Sequence, residues 1–412
     1  MTAVAPARSP IAQRDFSLIW WGGLVSDTGD WLLMIALPLF VFAITGSALG
    51  ASTVFLAELI PVLLFGPVLG VLVDRFDHRR TMIVLNLAQG LALLPLLAAS
   101  ADRLWIVYLV AAVQAALAAG VNPARQSLLP RLVSPGQLGQ ANSLLSVADN
   151  LARLVGSPLG GLVFAGLGLP GVVCLDAASY LLSAVLVLLS RPRVREAPSG
   201  GAEPRGLLHE LLGGWRTIRR VRPLGAILLI ECVSAVAQGV FLVLFVVYVV
   251  QVLRAGDAEV GLLRGVQAIG GILGGLLVGV LIRRLSARVL VGYGFVVFGL
   301  LAWLTWNFAP ISTLSVFYVG FFVAMGIPAV ATTAGVMTTV QQVTPPAAIG
   351  RVVATTGTLA QAAQGVGLLA AGLLSDRLGV IPVLDAQASL YLVCGLLALL
   401  LLRTGAGRSR IR

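Results

Sequence analysis

The sequence predicts an all-α integral membrane protein with twelve transmembrane helices arranged as two pseudo-symmetric six-helix bundles. Three observations predict it. Charged residues make up only 11% of the 412-residue chain, against roughly 25% in an ordinary soluble domain. Uncharged stretches of spanning length recur, the longest running 62 residues from Val289 to Gly350. The second half repeats features of the first at a nearly constant offset. So few charges cannot cover a soluble globule, which argues against a soluble enzyme. An apolar share of 58% excludes intrinsic disorder. At about 20 apolar residues per span there is room for roughly a dozen spans.

The spans are expected at 16–44, 48–73, 81–100, 104–124, 140–166, 170–190, 224–252, 259–282, 288–307, 311–338, 350–374 and 380–402. The first follows Arg8 and Arg14 and reads as a retained span, with no cleavable signal peptide. Uncharged runs from Thr81 to Ala101 and from Leu104 to Ala124 hold spans three and four. The 62-residue run must hold two helices, divided by a turn near Asn307–Pro310.

Orientation follows from arginine bias. There is no lysine. With the N-terminus in the cytoplasm, inner segments collect 23 arginines, among them Arg75, Arg79, Arg80, Arg125, Arg283 and Arg351. The outer side keeps 4: Arg103, Arg254, Arg264 and Arg377. This places a multi-pass protein in a bacterial inner membrane with both termini cytoplasmic, and it explains the net charge of +11 without nucleic acid. Cys174, Cys232 and Cys394 all lie in apolar runs, as packing residues with neither disulfide nor metal-ligand spacing.

The domains are expected at 1–190 and 224–412, joined by a cytoplasmic linker over 191–223. The linker begins with Pro192, Pro198, Gly200, Gly201 and Pro204. It continues as an amphipathic helix, with Leu207, Leu208, Leu211, Leu212, Trp215, Ile218 and Val221 on one face and Arg216, Arg219, Arg220 and Arg222 on the other. Such a helix either lies on the anionic inner leaflet or packs on the bundle.

The repeat is seen at several points. Residues 70–75 (GVLVDR) match 279–284 (GVLIRR), and Gly66 matches Gly275, at an offset of 209. Leu175–Asp176–Ala177 match Leu384–Asp385–Ala386 at the same offset. Val133–Ser134–Pro135 match Val343–Thr344–Pro345 at 210, and Gly156 and Gly161 match Gly367 and Gly372 at 211. Two six-helix halves in parallel repeat describe a transporter that alternates access to a site.

Charges inside spans are expensive and point to function. Asp27, Asp30, Glu58, Asp149, Arg153 and Glu231 lie well inside the expected spans. Asp30, Glu58, Asp149, Arg153 and Glu231 are the candidates for proton coupling. Asp149 and Arg153 are four apart on one helix face, so mutual neutralisation is the competing reading. Asp30 and Glu58 have no basic neighbour on their own helices. A carboxyl kept from water and counter-charge can load and release a proton near neutrality. Asp30 is the first choice, because Gly22, Gly23 and Gly29 leave room beside it. Asp176 and Asp385 lie near outer helix starts, where a capping or dipole role is expected.

The segment from Gly66 through Gly70, Asp74, Arg75, Arg79 and Arg80 resembles the signature loop of the major facilitator superfamily, with Asp77 where a glycine is usual. That form is similar to the branch typified by the enterobactin exporter and the macrolide efflux proteins. Ser26–Asp27–Thr28–Gly29–Asp30, Asn122–Pro123–Ala124–Arg125 and Gly156–Ser157–Pro158–Leu159–Gly160–Gly161 agree with it. The resemblance implies the MFS fold and an inner gate in which Asp74 meets the start of span eleven near Gly350–Arg351. Its repeat-mate is Arg283, so the two gates are not equivalent. Gly156, Pro158, Gly160 and Gly161 form the helix-bend motif, with Ser157 separating a usually adjacent Gly-Pro pair. Span four offers Gln114 where many proton antiporters of the superfamily carry an intramembrane arginine.

The resulting expectation is a monomeric, proton-coupled exporter that moves an amphipathic organic compound of drug or siderophore type across the lipid bilayer. Alternatives are a lysophospholipid flippase of the same fold and a non-transporting sensor or scaffold. No cofactor or metal is expected. There is no phosphate-cradling Gly-rich Lys loop for ATP. The only histidines, His78 and His209, lie in loops and build no catalytic constellation.

Overall fold

The computed structural model describes residues 9–73, 76–191, 207–281 and 285–402. Asp74, Arg75 and Arg283, residues 192–206 of the linker and both chain ends lie outside the described residues. The elements, in order, are α1 (Arg14–Thr45), α2 (Ala48–Val73), α3 (His78–Leu93), α4 (Leu104–Leu132), α5 (Leu138–Leu189), α6 (Leu207–Arg220), α7 (Arg222–Val247), α8 (Asp257–Leu281), α9 (Ala287–Asn307), α10 (Ser315–Val343), α11 (Ile349–Leu378) and α12 (Val380–Leu401). A 3-10 turn, Leu94–Ala98, extends α3, and a π turn, Tyr248–Val252, extends α7.

Among the described residues, twelve helical segments are long and apolar enough to span a membrane, because the 52 residues of α5 hold two. They are broken at Gly168, whose φ of 64° lies in the left-handed region. A Cβ is disfavoured there, so glycine is the residue that lets the chain reverse. The repeat reproduces the device 211 residues later, where Gly379, with φ of 83°, separates α11 from α12. Large apolar side chains such as Leu91, Leu162, Leu276 and Val280 are exposed on the helices. Soluble proteins rarely expose apolar surface this way, and a bilayer requires it.

Three expectations are corrected. Span four continues through Pro123 and Pro130 to Leu132 instead of ending at Ala124. A proline costs a helix one backbone bond, and membrane helices tolerate it when neighbours satisfy the freed group. Arg125 is therefore a buried residue of a helix, not part of a cytoplasmic loop. Arg264, expected on the outer side, is likewise buried within α8. Span ten begins at Ser315, four residues after its expected start at 311.

The chain forms two compact units. Unit 1 comprises Met1–Gly46, Thr53–Pro204 and Gly256–Gly265, and unit 2 comprises Ser47–Ser52, Arg205–Ala255 and Val266–Arg412. In unit 1, Leu37, Val41, Val107 and Val172 centre one core cluster, and Phe16, Met82, Leu128 and Ala141 centre another. In unit 2, Ile227, Ile230, Val291, Val340 and Cys394 pack together. Within unit 2, α6 packs on α7 and α11. Ile218 is buried there, while Arg216, Arg219 and Arg220 are exposed.

The repeat extends to individual hydrogen bonds. Asp77 caps α3 by accepting from the Arg80 backbone N–H at 2.8 Å. Ser286, 209 residues on, caps α9 by accepting from Val289 N–H at 3.4 Å. Arg79 donates to the Val187 carbonyl at 3.2 Å and also to that of Leu188. Its repeat-mate Arg288 donates to the Leu399 carbonyl. Cations at helix C-termini are favoured by the last unpaired carbonyls.

Candidate functional site

The polar side chains of unit 1 converge on α1. Gly23 opens the way for the first group, since a Cβ there would lie 2.9 Å from Nη1 of Arg125. Through this gap Arg125 reaches from α4 and donates from Nη1 to Asp27 Oδ2 at 2.9 Å. Its Nη2 donates to Asn122 Oδ1 at 2.9 Å and lies 3.7 Å from Asp149 Oδ1. The guanidinium side chain is 10% exposed, with Asp27 at 24% and Asp149 at 57%. One cation thus serves carboxylates from two helices and an asparagine, while its buried Nε has no hydrogen-bond partner among the described residues.

This changes the reading of Asp149 and Arg153. Asp149 turns to Arg125 of another helix, while the Arg153 guanidinium stacks over the Trp31 ring at 5.3 Å. It also changes the reading of span four. Its helix carries a buried arginine, Arg125, and Gln114 has a different task.

The second group lies one turn along α1. Tyr180, from the second span of α5, donates its hydroxyl proton to Asp30. The same hydroxyl accepts from Gln89 Nε2 of α3 at 3.0 Å, and Gln114 Nε2 of α4 donates to the Gln89 carbonyl at 3.0 Å. Tyr180, Gln89 and Gln114 are buried, whereas Asp30 is exposed. A rigid, dry chain of donors therefore holds an accessible carboxylate. Gly29 makes room beside it, because a Cβ there would collide with Asp176 Oδ1 and Ser179 Oγ.

Asp176 is not a helix cap. It sits inside the second span of α5, fully buried, and accepts from Ser179 Oγ at 3.2 Å. Its Oδ2 has no hydrogen-bond partner among the described residues. Glu58, half-buried on α2, lies within electrostatic range of Asp30 and makes no ion pair among the described residues. Glu231 belongs to unit 2, where it lines an open cavity of about 300 Å³ whose walls come from α7, α9, α10, α11 and α12.

The bend motif makes close contacts. A Cβ on Gly156 would lie 2.7 Å from that of Trp31, and one on Gly160 would lie 2.9 Å from Leu32 Cα. These two glycines let α5 press against α1. Gly161 faces Ala258, and Pro158 faces Gly265, both from the start of α8 within unit 1. Of the signature loop, Gly66 and Gly70 occupy the last turns of α2. Arg79 and Arg80 flank the α3 cap, and the expected partner of Asp74, Arg351, lies on α11 against Gly213 of α6. The Asp74 contact itself lies outside the described residues. Among the described residues, no three His, Cys, Asp or Glu side chains cluster to hold a metal ion.

Sequence reasoning missed Arg125, Tyr180 and Gln89. Arg125 was missed because span four was read from the uncharged run Leu104–Ala124, which the charge of Arg125 itself ends. The available signal was Asp27, an intramembrane charge in need of a cation.

Comparison with known proteins places this geometry. The family model described as Major Facilitator Superfamily matches residues 19–358 and 227–411. The chain is 29% identical over 401 residues to the multidrug efflux pump Tap of Mycolicibacterium fortuitum, covering 94% of this chain and 95% of Tap. It is 26% identical over 377 residues to macrolide efflux protein A of Streptococcus pyogenes, covering 89% and 90%. The crystal structure of a bacterial homologue of the human lysosomal transporter Spinster, inward-facing and unoccupied, aligns with a TM-score of 0.72 at 14% identity, over 94% of this chain and 95% of that one.

Proposed function

The chain belongs to the Major Facilitator Superfamily and is a membrane transporter of a small molecule rather than an enzyme; from that premise we propose that it is a proton-coupled exporter of amphipathic organic compounds. The relatives named for multidrug and macrolide efflux support the direction and the substrate class. The observation that carries the coupling is Asp30. It is an accessible carboxylate held by a buried tyrosine one turn from an arginine-centred ion cluster.

The mechanism follows from charge. Ionised, Asp30 accepts from Tyr180 and adds a negative charge to the field around Arg125. Protonated, it surrenders that charge, and the cluster rebalances around Asp27 and Asp149. A ligand shifts a two-state transporter only by its differential affinity for the two states. A proton bound at Asp30 and a substrate bound near it are therefore competitors, and by linkage each weakens the other equally. Water reaching Asp30 from the cytoplasm removes the proton and readies the site. Proton loading from the outer side releases the cargo. Glu58 is a further carboxylate in electrostatic range of Asp30, beside Asp27 and Asp176, and the alternative carrier.

The test is efflux of a labelled compound panel from cells, with and without an uncoupler. Asp30→Asn is expected to reduce uncoupler-sensitive efflux to background while the protein still accumulates in the membrane. Unchanged efflux and uncoupler sensitivity in Asp30→Asn, with loss in Glu58→Gln, would move the assignment to Glu58. We also place the protein in a bacterial inner membrane, with both termini cytoplasmic, on the arginine bias. Reporter fusions after Arg412 and within 196–204 should both read cytoplasmic.

A further inference from the structure

The cavity of unit 2 is built from the repeat-equivalents of the helices that carry the unit 1 network, with different chemistry. Tyr391 stands 211 residues after Tyr180 and, like it, fixes a residue of the half's first helix. Its hydroxyl donates to Gln238 Oε1 at 3.3 Å. Its ring stacks on Phe295 at 6.1 Å and 13°, and meets Phe298 edge-on at 4.7 Å and 73°. Phe298 is the repeat-mate of Gln89 at an offset of 209. The amide that serves Tyr180 in unit 1 is thus replaced by an aromatic ring. Gln238, in turn, takes the role of Asp30 as the partner of the tyrosine.

The charge of this half has moved to Glu231, two turns back along α7. Glu231 is half-buried and lines the cavity. Among the described residues its carboxylate makes no ion pair and accepts no hydrogen bond. Among the described residues, no arginine, lysine or histidine lines the cavity. The residue at the repeat position of Arg125, at an offset of 210, is Gly335. A carboxylate inside a span without a counter-charge carries a large cost, so a ligand that brings the charge is strongly favoured.

The lining favours one class of occupant. An anion would meet only like charge. A neutral ligand would leave the carboxylate to a proton, so a cation competes with that proton for the site. A hard divalent cation could use Glu231 with the oxygens of Ser234, Gln238, Thr332, Thr333, Gln361 and Gln364, but it would leave the ring faces unused. A soft organic cation satisfies both parts of the wall, because its charge is attracted to Glu231 and to the faces of aromatic rings. Its apolar body packs on Phe295, Phe298 and Tyr391. A volume of about 300 Å³ lies at the small end of ligand pockets. It suits the charged end of a drug-sized molecule.

We propose that the unit 2 cavity is a binding subsite for organic monocations, with the ammonium group at Glu231 and its apolar substituents against Phe295, Phe298 and Tyr391. This names a substrate class for the exporter and rests on that reading for its biological meaning.

The test uses the full-length protein in lipid nanodiscs with ethidium as probe, titrated by fluorescence anisotropy. Glu231→Gln is expected to weaken ethidium binding by about tenfold or more, since it removes one partner of a charge pair. Glu231→Asp, which keeps the charge, should retain most of the affinity. Phe298→Leu should weaken it by about threefold. Benzyltrimethylammonium should displace ethidium, and benzyl alcohol should not. Equal affinity in Glu231→Gln and wild type, or no saturable ethidium binding to wild type, overturns the proposal. The outcomes separate the two readings. Cells that export the compound panel with a protein that ignores ethidium would sink the subsite alone. Glu231-dependent binding by a protein that exports nothing would sink the exporter reading alone.

Discussion

Tyr180 and Tyr391 occupy matching places in the two halves and hold opposite kinds of partner. Tyr180 donates to a carboxylate, and its surroundings are amides. Tyr391 donates to an amide, and its surroundings are aromatic rings. In unit 1 the negative charges of Asp27 and Asp149 gather on Arg125. In unit 2 the carboxylate of Glu231 faces a cavity with no cation in its walls among the described residues. The frame around these differences is shared. Helix caps, arginine anchors and the glycine breaks at Gly168 and Gly379 recur at the repeat offset. The repeat therefore constrains backbone geometry and leaves the polar interior free to diverge. One half has the parts of a coupling device and the other the parts of a recognition surface.

The most damaging way to break this contrast is to remove the cation that only unit 1 has. Arg125→Met should leave Asp27 and Asp149 facing each other with no counter-charge. Breaking a buried pair this way typically costs on the order of 3 kcal/mol. A lowered thermal midpoint in detergent and loss of efflux are the expected readouts. Adding Asp27→Asn to Arg125→Met should recover part of the stability, because it removes the orphaned charge. If Arg125→Met unfolds at the wild-type temperature and still transports, the arginine is incidental and the two halves are electrostatically alike.

The parts of this architecture that were legible in the sequence are the local ones. Uncharged runs and arginine bias locate the spans, because a bilayer imposes length and charge rules on each segment separately. The repeat showed in short matches such as Gly66 with Gly275. Asp30 was legible as a costly charge, but the room expected from Gly22, Gly23 and Gly29 is filled by side chains of α4 and α5. Tyr180 was not, since it lies 150 residues away and only the packing of α5 on α1 brings it to Asp30. Arg125 was misplaced because an uncharged run ends at any charge, whereas α4 carries this one as a buried residue paired with Asp27. Asp77 read as a departure from the signature loop. Its position shows the physical reason, since its side chain caps α3 and a glycine could not.

A milder intervention tests what the halves share. Gly156 and Gly367 are repeat-mates, and each lets one helix touch the backbone of another. A Cβ on Gly156 would lie 2.7 Å from the Trp31 Cβ, and one on Gly367 would lie 3.0 Å from Val236 Cα. Gly156→Ala and Gly367→Ala must each push a helix pair apart, at a cost of about 1–3 kcal/mol. Thermal unfolding of the two variants should show losses of similar size. A loss confined to Gly156→Ala would mean that the bend motif is a property of unit 1 alone.

The smallest effect, and the sharpest on symmetry, concerns the caps of α3 and α9. Asp77 and Ser286 each satisfy a backbone N–H that the first turn of a helix leaves unpaired. Replacing either with alanine should cost about 1 kcal/mol, the usual worth of such a cap. Asp77→Ala should cost more, for two reasons. Its hydrogen bond is shorter, at 2.8 Å against 3.4 Å. Its charge also sits at the positive end of a helix dipole, worth a further 0.3–1 kcal/mol or so at a surface site. Asp77→Ser keeps the hydrogen bond and loses the charge, so it should fall between wild type and Asp77→Ala. The two caps share no partner, so the double variant Asp77→Ala/Ser286→Ala should lose the sum of the single losses. Thermal midpoints of the four variants in nanodiscs supply the comparison. A double loss well above the sum would mean that the two caps are energetically coupled, and the halves could no longer be treated as independent copies of one frame.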